Sequence, residues 1–476
     1  MKHQKNSFYV TTSIAYANAK PHIGYAMELI QADTLARYNS IHGKKTYFLT
    51  GTDEHGQKLY DAAISQNRHP KEYVDELSRT FLELTKSLQL CNDGFVRTTD
   101  PNHKAAAQKL WLACKSDIYK GKYSGLYCIG CEKYYTDSET EDENCPIHQT
   151  KLKFLEIDSY FFSLSRYSKQ LYEIIANNSL RIVPEKRRNE MLSFIESGLE
   201  DISISRPKSQ LEWGVEVPND SDNVMYVWFD ALTNYVSAIG YKENSDKFNK
   251  FWPADVHVVG KDIARFHCLL WPAMLISAGL QPPSSIFIHS FITSNGHKMS
   301  KSLGNVIDPV DYLDMYGVEA VRYYLLRYIP SYDDGDFTRE RFEEVYNSDL
   351  ANTLGNLVSR LAAMLHKYSC GKYVAVKTKA VDIEELLIKF KFDRCLDQLF
   401  KRISTLNATI DQEKPWLLYQ TDQEKTKSIL NELTSELLAI SKSLKPFLPE
   451  TSKRIDEIFN DGRVSKDNLI IFPRID

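Results

Sequence analysis

The stretch Thr11–Met27, TTSIAYANAKPHIGYAM, decides how the chain is read. It grows out of a β-branched and aromatic run, Phe8-Tyr9-Val10-Thr11-Thr12, of the kind that favours a strand. A turn follows at Asn18 and Lys20-Pro21. Apolar residues then recur at helical spacing, at Ile23, Met27, Ile30 and Leu35. A strand therefore feeds a loop, and the loop opens a helix at His22-Ile23-Gly24. A helix start presents unpaired backbone N–H groups and the positive end of its dipole to an anion. Gly24 lets a ring or phosphate approach the backbone, and His22 can donate to a phosphate oxygen. The same residues also fit a plain helix start, with His22 as its cap.

The chain has 476 residues, 43% hydrophobic and 26% charged, which is enough for roughly two to four domains of a soluble protein. No apolar run approaches a membrane span, and MKHQKNSFYV lacks the apolar core of a signal peptide, so a cytoplasmic protein is expected. A net charge of −4 does not announce a nucleic-acid partner; such contacts have to come from local patches. Of eight cysteines, Cys91, Cys114, Cys268, Cys370 and Cys395 are scattered and are expected to be reduced and buried.

Residues 1–115 read β-α-β-α, with a second strand at Lys45–Thr50 followed by Gly51-Thr52-Asp53-Glu54-His55-Gly56. Two parallel strands joined by a helix make half of a doubly wound sheet, whose ligands bind outside the carboxyl ends of the strands. Asp53 fits two roles there, holder of a ligand ammonium group or cap of the next helix. Neither a dinucleotide fingerprint nor a P-loop is present. Residues 116–224 interrupt the alternation. They carry Cys128-Ile129-Gly130-Cys131 and Cys145-Pro146-Ile147-His148, three thiolates and one imidazole, the ligand set of a closed, structural zinc site.

The alternation resumes at 225–290, with strands expected at Met225–Asp230, Val256–Gly260 and Ser285–Ile292 and a helix opening at Lys261–His267. Asp262 there suits a ribose hydroxyl or a helix start. An Asn295-Gly296 turn leads into Lys298-Met299-Ser300-Lys301-Ser302, a basic, hydroxyl-rich loop suited to a polyphosphate, within a segment 291–344. From about 345 to 476 leucines at 350, 354, 357, 361 and 365 fall on one stripe, and 381–410 and 423–445 repeat the pattern, which reads as an antiparallel helix bundle.

The order of PHIG, an insertion with a zinc knuckle, and KMSKS resembles the class I aminoacyl-tRNA synthetases, and over nearly the whole chain the methionyl-tRNA synthetase family within them. The resemblance implies an α/β, Rossmann-like parallel sheet split by a connective insertion and followed by an anticodon-binding bundle. It implies that Ile14, Tyr16, Trp228, Ala231, Tyr235, Ile263 and His267 line a methionine pocket, with Asp53 on the ammonium group. His22, Gly24, Tyr25, Gly260, Asp262, Lys298, Met299, Ser300, Lys301 and Ser302 would meet ATP, with His22, Lys298 and Lys301 stabilising the reacting phosphates. Asn356, Arg360 and Trp416 would read the anticodon of initiator and elongator tRNA(Met). Implied cofactors are one structural Zn2+ and Mg2+ carried with ATP; a monomer without a stable protein partner is expected.

The sequence departs from the family in two places. Tyr25 stands where the first motif usually ends in His, and Leu232 follows Ala231 where some members have Pro. Two rival readings are another class I synthetase and a non-catalytic tRNA-binding relative. Residues 116–224 are short for an editing insertion, and retention of His22, Asp53, Trp228 and both KMSKS lysines speaks for catalysis.

Overall fold

The computed structural model describes residues 6–129, 133–135, 140, 142–146, 149–299, 304–378, 381–466 and 469–475. The described residues fall into two compact units, one drawn from Met1–Pro21, Gly43–Lys86 and Leu90–His289, the other from His22–His42, Ser87–Gln89 and Ser290–Asp476.

The first unit is built on a seven-stranded sheet. Its strands are β1 (Ser7–Thr12), β2 (Ala15–Tyr16), β3 (Lys45–Asp53), β4 (Gly94–Arg97), and three more further along the chain. The insertion contributes β5 (Ile118–Cys128), β6 (Lys133–Tyr135) and β7 (Lys153–Phe162). The sheet's remaining strands are β8 (Arg181–Val183), β10 (Val256–Gly260) and β11 (Ser285–His289), with β9 (Ile202–Ser203) added to the insertion's edge. The order is β2-β3-β1-β10-β11-β8, with β4 also on β3, and every pairing in it is parallel. A central parallel strand is covered on both faces, which is why β1 and β10 are buried throughout. A large apolar core around Trp271, Phe162, Leu110, Met274 and Ile286 fills much of this unit.

In the insertion, β5 and β7 pair antiparallel from Ile118↔Phe162 to Tyr127↔Lys153, and β6 pairs with β5. Cys128, Tyr135, Cys145 and Leu152 make a small buried cluster at its tip. Cys131 and His148, expected as metal ligands, lie outside the described residues.

Three sequence expectations are corrected here. Met225–Asp230 is not one strand: the strand ends at Met225, paired with Ser205, and α3 (Val227–Leu232) begins after extended Tyr226. Trp228 and Asp230 are therefore helical residues. The strand expected over 285–292 breaks after His289, and Ile292–Ser294 pairs elsewhere. Cys91 and Cys370 are exposed rather than buried: Cys91 lies in the irregular connection before β4, and Cys370 is the left-handed residue that ends a helix, at φ 50°.

The second unit holds α1 (Ile23–Ile41), which is buried on nearly all sides over Ile23–Ala36 and packs against α4 (Val318–Arg327). Its C-terminal part is a bundle of α5 (Asn356–Ser369), α6 (Phe392–Glu413), α7 (Gln423–Leu444) and α8 (Pro449–Ile458). The expected leucine stripe is its core: Leu350, Leu354, Leu357, Leu361 and Leu365 are all buried.

A buried ion pair ties this unit together. Arg322 on α4 lies 2.7 Å from Asp33 on α1, and both side chains are shielded from solvent. Arg322 also donates to the carbonyls of Phe447 (2.7 Å) and Pro446 (3.2 Å), between α7 and α8. Asp33 also pairs with Arg37 at 2.7 Å, so removing Arg322 strips the buried carboxylate of one of its two cations and leaves the Phe447 and Pro446 carbonyls without their donor, a costly break in a buried network. Arg322→Met is expected to destabilise the second unit by about 3 kcal/mol, read as an earlier urea transition.

Candidate active site

The carboxyl ends of the central strands of the first unit collect its chemistry-bearing side chains. Asp53 is the last residue of β3, 8% exposed, and sits in register with Tyr16 of β2. It does not cap the next helix, which begins at Gln57 after Gly56 turns the chain at φ 109°.

Beyond β10 the chain makes a tight turn at Lys261–Ile263 and then a π-helical turn at Phe266–Leu270. That turn sets Phe266 flat against Trp228 of α3, with ring centres 4.0 Å apart and planes 7° apart. Its neighbour His267 meets the edge of Trp228 at 6.0 Å. Ile14, Tyr16, Trp228, Ile263 and Phe266 are only partly buried and all pack on the same core; the stacked Trp228–Phe266 pair, edged by His267, forms an apolar lining that retains exposed surface. Ala231, on the same short helix as Trp228, is 4% exposed, and Leu232 after it is core.

Hydrogen bonds fix the protonation of the two histidines behind this lining. His267 Nδ1 lies 3.0 Å from the carbonyl of Ile263 and so carries the proton; Nε2 then accepts from the hydroxyl of Tyr235 at 2.7 Å. His257 Nε2 accepts from Trp271 Nε1 at 3.3 Å, which leaves its Nδ1–H to donate to Thr11 Oγ1 at 2.8 Å. Each imidazole thus carries one proton and no charge. Burial enforces this: it holds His267 down to about 4 and His257 well below its ordinary value. Tyr235 is clamped between them, stacked on His257 at 4.1 Å and with its backbone carbonyl accepting from Tyr9 Oη at 2.7 Å.

The loop after β3 is anchored on its other side. Glu54 is buried and receives both a bidentate contact from Arg97 (2.6 and 3.0 Å) and the hydroxyls of Thr52 (2.7 Å) and Thr99. His55 Nδ1 meets Asp230 Oδ2 at 2.6 Å. At the end of β10, Gly260 is buried beside exposed Asp262; a Cβ on Gly260 would come 2.8 Å from the Asp262 carboxylate.

In the second unit, His22 caps α1. Its Nδ1 accepts from Gly24 N at 3.1 Å, so Nε2 is the nitrogen left to carry the proton outward on an exposed side chain. A Cβ on Gly24 would press within 3.0 Å of that imidazole and 4.0 Å of the Met299 methyl, so the helix start at His22–Gly24 and Met299 lie together within this unit. Tyr25 is 9% exposed. Lys298 is exposed, at the end of the Asn295-Gly296 hairpin, whose positive φ angles of 52° and 75° bear out the expected turn. Ser300, Lys301 and Ser302 lie outside the described residues. Asn356 and Arg360 share α5; Arg360 pairs with Asp411 at 2.5 Å, and Trp416 is 40% exposed on the turn Pro415–Leu418.

Sequence reasoning missed Phe266 as the partner of Trp228, and missed His257, His103 and Asp230 as supports. A signal was present for His257, a lone polar residue inside the apolar strand VHVVG. The contacts across the sheet that give these residues their meaning are separated by tens to hundreds of positions. Among the described residues no cluster of metal-ligating side chains is complete.

Comparison with known proteins identifies the family. The family model "tRNA synthetases class I (M)" matches residues 8–153 and 139–362. Methionine--tRNA ligases of Caldanaerobacter subterraneus subsp. tengcongensis and Thermotoga maritima are 40% and 41% identical, over 99% and 97% of this chain and 79% and 77% of their own. The fold is similar to that of Mycobacterium tuberculosis methionyl-tRNA synthetase in complex with methionyl-adenylate, with a TM-score of 0.93 and 35% identity over 98% of this chain and 100% of that one. The chain belongs to the class I tRNA synthetases, in the methionyl-tRNA synthetase family.

The buried imidazoles make stability pH-dependent. The folded pKa of His267 is below its ordinary 6.5, so in the window from 6.5 down to about 4 the unfolded chain binds a proton the folded chain does not. Stability therefore falls as pH drops through this window. His267→Gln, which keeps an acceptor for Tyr235, is expected to flatten part of that slope in thermal melts recorded between pH 7 and pH 4.5.

Proposed function

We propose that this chain is a methionine–tRNA ligase that activates L-methionine with ATP and transfers it to tRNA(Met). The observation that carries this reading is the apolar lining of Trp228 and Phe266 beside uncharged His267, which Tyr235 hydrogen-bonds from behind; Ile14 and Ile263 would complete it. A thioether side chain is apolar and polarisable and gains from aromatic contact, whereas a charged side chain would be left without a counterion there. Asp53 supplies the one charge the substrate needs, opposite its ammonium group.

In the first step an oxygen of the methionine carboxylate attacks the α-phosphorus of ATP. The bond to the bridging oxygen of pyrophosphate breaks, and its electron pair leaves with pyrophosphate. No protein nucleophile takes part, so the chain contributes alignment and charge stabilisation. His22, already fixed by its Nδ1 contact to Gly24, offers Nε2–H and the helix start to phosphate oxygens. Lys298 and Lys301 neutralise charge on the departing pyrophosphate, with Met299, Ser300 and Ser302 shaping that loop. Gly260 and Asp262 take the nucleoside, and Tyr25 donates where the family has a second His. Mg2+ accompanies ATP. In the second step a terminal hydroxyl of the tRNA attacks the methionyl carbonyl and AMP leaves. Asn356, Arg360 and Trp416 read the CAU anticodon of initiator and elongator tRNA(Met); exposed Trp416 offers a stacking face. The working division is 1–115 and 225–290 for catalysis, 116–224 as the connective insertion, 291–344 for the KMSKS loop and stem contact, and 345–476 for the anticodon.

The insertion's Cys128, Cys131, Cys145 and His148 are the proposed zinc ligands. Cys128 and Cys145 fit: both are buried thiols in one small cluster at the ribbon tip, where so few apolar residues cannot alone hold a fold. The ion's contribution is structural. No helix among the described residues is long and apolar enough to cross a membrane, and the cytoplasm and a monomer are the proposed setting.

Exchange of labelled pyrophosphate into ATP is expected with methionine and not with isoleucine, valine, leucine or cysteine. Exchange with none of them, together with retained tRNA binding, would mark a non-catalytic relative. Lys301→Ala is expected to lower the exchange rate by about a hundredfold while changing methionine affinity less than about threefold; equal losses in both would refute its assignment to the pyrophosphate. Metal analysis is expected to give one zinc per chain, and Cys145→Ser to lose it.

A further inference from the structure

Asp230 is buried, 0% exposed, and both of its carboxylate oxygens are taken by imidazoles. Oδ2 meets His55 Nδ1 at 2.6 Å and Oδ1 meets His103 Nε2 at 2.7 Å. The three residues come from three elements. His55 lies two residues past Asp53, on the loop after β3. Asp230 lies on α3, two residues past Trp228 and one before Ala231. His103 is on α2 (Pro101–Ala113), where its Nδ1 contacts Ser237 Oγ at 2.9 Å. The loop's other residue, Glu54, is pinned separately by Arg97, and its carbonyl accepts from Trp213 Nε1 at 2.6 Å. His55 Nε2 is buried without a hydrogen-bond partner among the described residues, so the contact to Asp230 is the polar anchor of that ring. The carboxylate stays ionised despite its burial because both rings donate to it; His55 and His103 together pull its pKa far down.

We propose that the His55–Asp230–His103 bridge is a positioning device for the methionine site, fixing the carboxylate of Asp53 relative to the Trp228–Ala231 wall. This rests on the reading of that site as the methionine pocket. The two halves of the pocket, one recognising the ammonium group and the other the side chain, sit on separate elements. A single amino acid spans both only if their spacing is held, and small misplacements are costly in such sites. None of the three bridge residues touches the reacting atoms. Their loss is therefore expected to appear in methionine binding rather than in the chemical step.

The donor nitrogens provide the test. An asparagine amide overlays the Nδ1 of a histidine and a glutamine amide overlays Nε2, so His55→Asn and His103→Gln keep the donor to Asp230, whereas His55→Leu and His103→Leu remove it. Pyrophosphate exchange is measured with the full chain against methionine and, separately, against ATP, with a thermal melt of each variant. His55→Leu is expected to raise the methionine KM about tenfold or more, with the ATP KM and kcat within about threefold of the parent, and His55→Asn to recover most of the methionine KM. If His55→Leu precipitates, the pair at His103 reads the same bridge from its other oxygen. Equal behaviour of the donor-keeping and donor-lacking variants, or parallel rises in both KM values, would overturn the proposal. An inactive parent chain would overturn the reading of the site itself, and this inference with it.

Discussion

The structure of the first unit depends on keeping two imidazoles uncharged in its interior. His257 and His267 lie under Tyr235, and each hydrogen bond they make has room for only one ring proton. A protonated ring there would be a buried cation without a carboxylate partner, which a low-dielectric interior penalises heavily. Desolvation keeps the rings neutral, and neutrality allows His267 Nε2 to accept from Tyr235. That bond fixes the tyrosine ring against Trp271 and His257, and so fixes one wall of the apolar lining. An alternative wall of purely aliphatic residues would bury as much area but would not hold a hydroxyl in one place.

The remaining walls obey a different rule: charges are admitted where they are paired. Glu54 is matched by Arg97, and Asp230 by two N–H donors. These contacts brace the ends of β3 and β4 and the short helix α3, which would otherwise be loop-like segments of a few residues. The parallel sheet explains why they gather there. Parallel strands carry their connections at alternate ends, so the loops leaving β1, β3 and β10 emerge on one edge, and side chains on those loops become neighbours. In the second unit the same logic appears in Arg322 and Asp33, where a buried pair joins the helix begun by His22 to α4 and the turn between α7 and α8.

Much of this was legible in the sequence because it is periodic or locally punctuated. The runs at 8–12 and 256–260 read as strands, and they are buried from end to end. The leucines from 350 to 365 read as one stripe, and they are the bundle core. The Asn295-Gly296 pair read as a hairpin turn and adopts one. Where local propensity misled, a tertiary partner was missing. Val227-Trp228-Phe229 has strand-forming residues, but the antiparallel partner Ser205–Pro207 is used up at Met225, so the chain turns into a helix. The break after His289 has the same cause: Ile292–Ser294 pairs with Gly335–Phe337 instead. The supporting residues His103, His257 and Asp230 escaped notice because their partners are remote in sequence. The family resemblance likewise named residues expected to touch substrate and none of those that hold them.

The claim that an uncharged, desolvated imidazole forms the wall of the methionine pocket has a direct test. Methionine affinity can be followed by tryptophan fluorescence from pH 8 to pH 5.5, with Trp228 as the reporter. Because His267 stays neutral down to about 4, the affinity is expected to hold within about twofold across this range. A loss of about tenfold with a break near pH 6.5 would show an imidazole that titrates as in water, and would contradict the account.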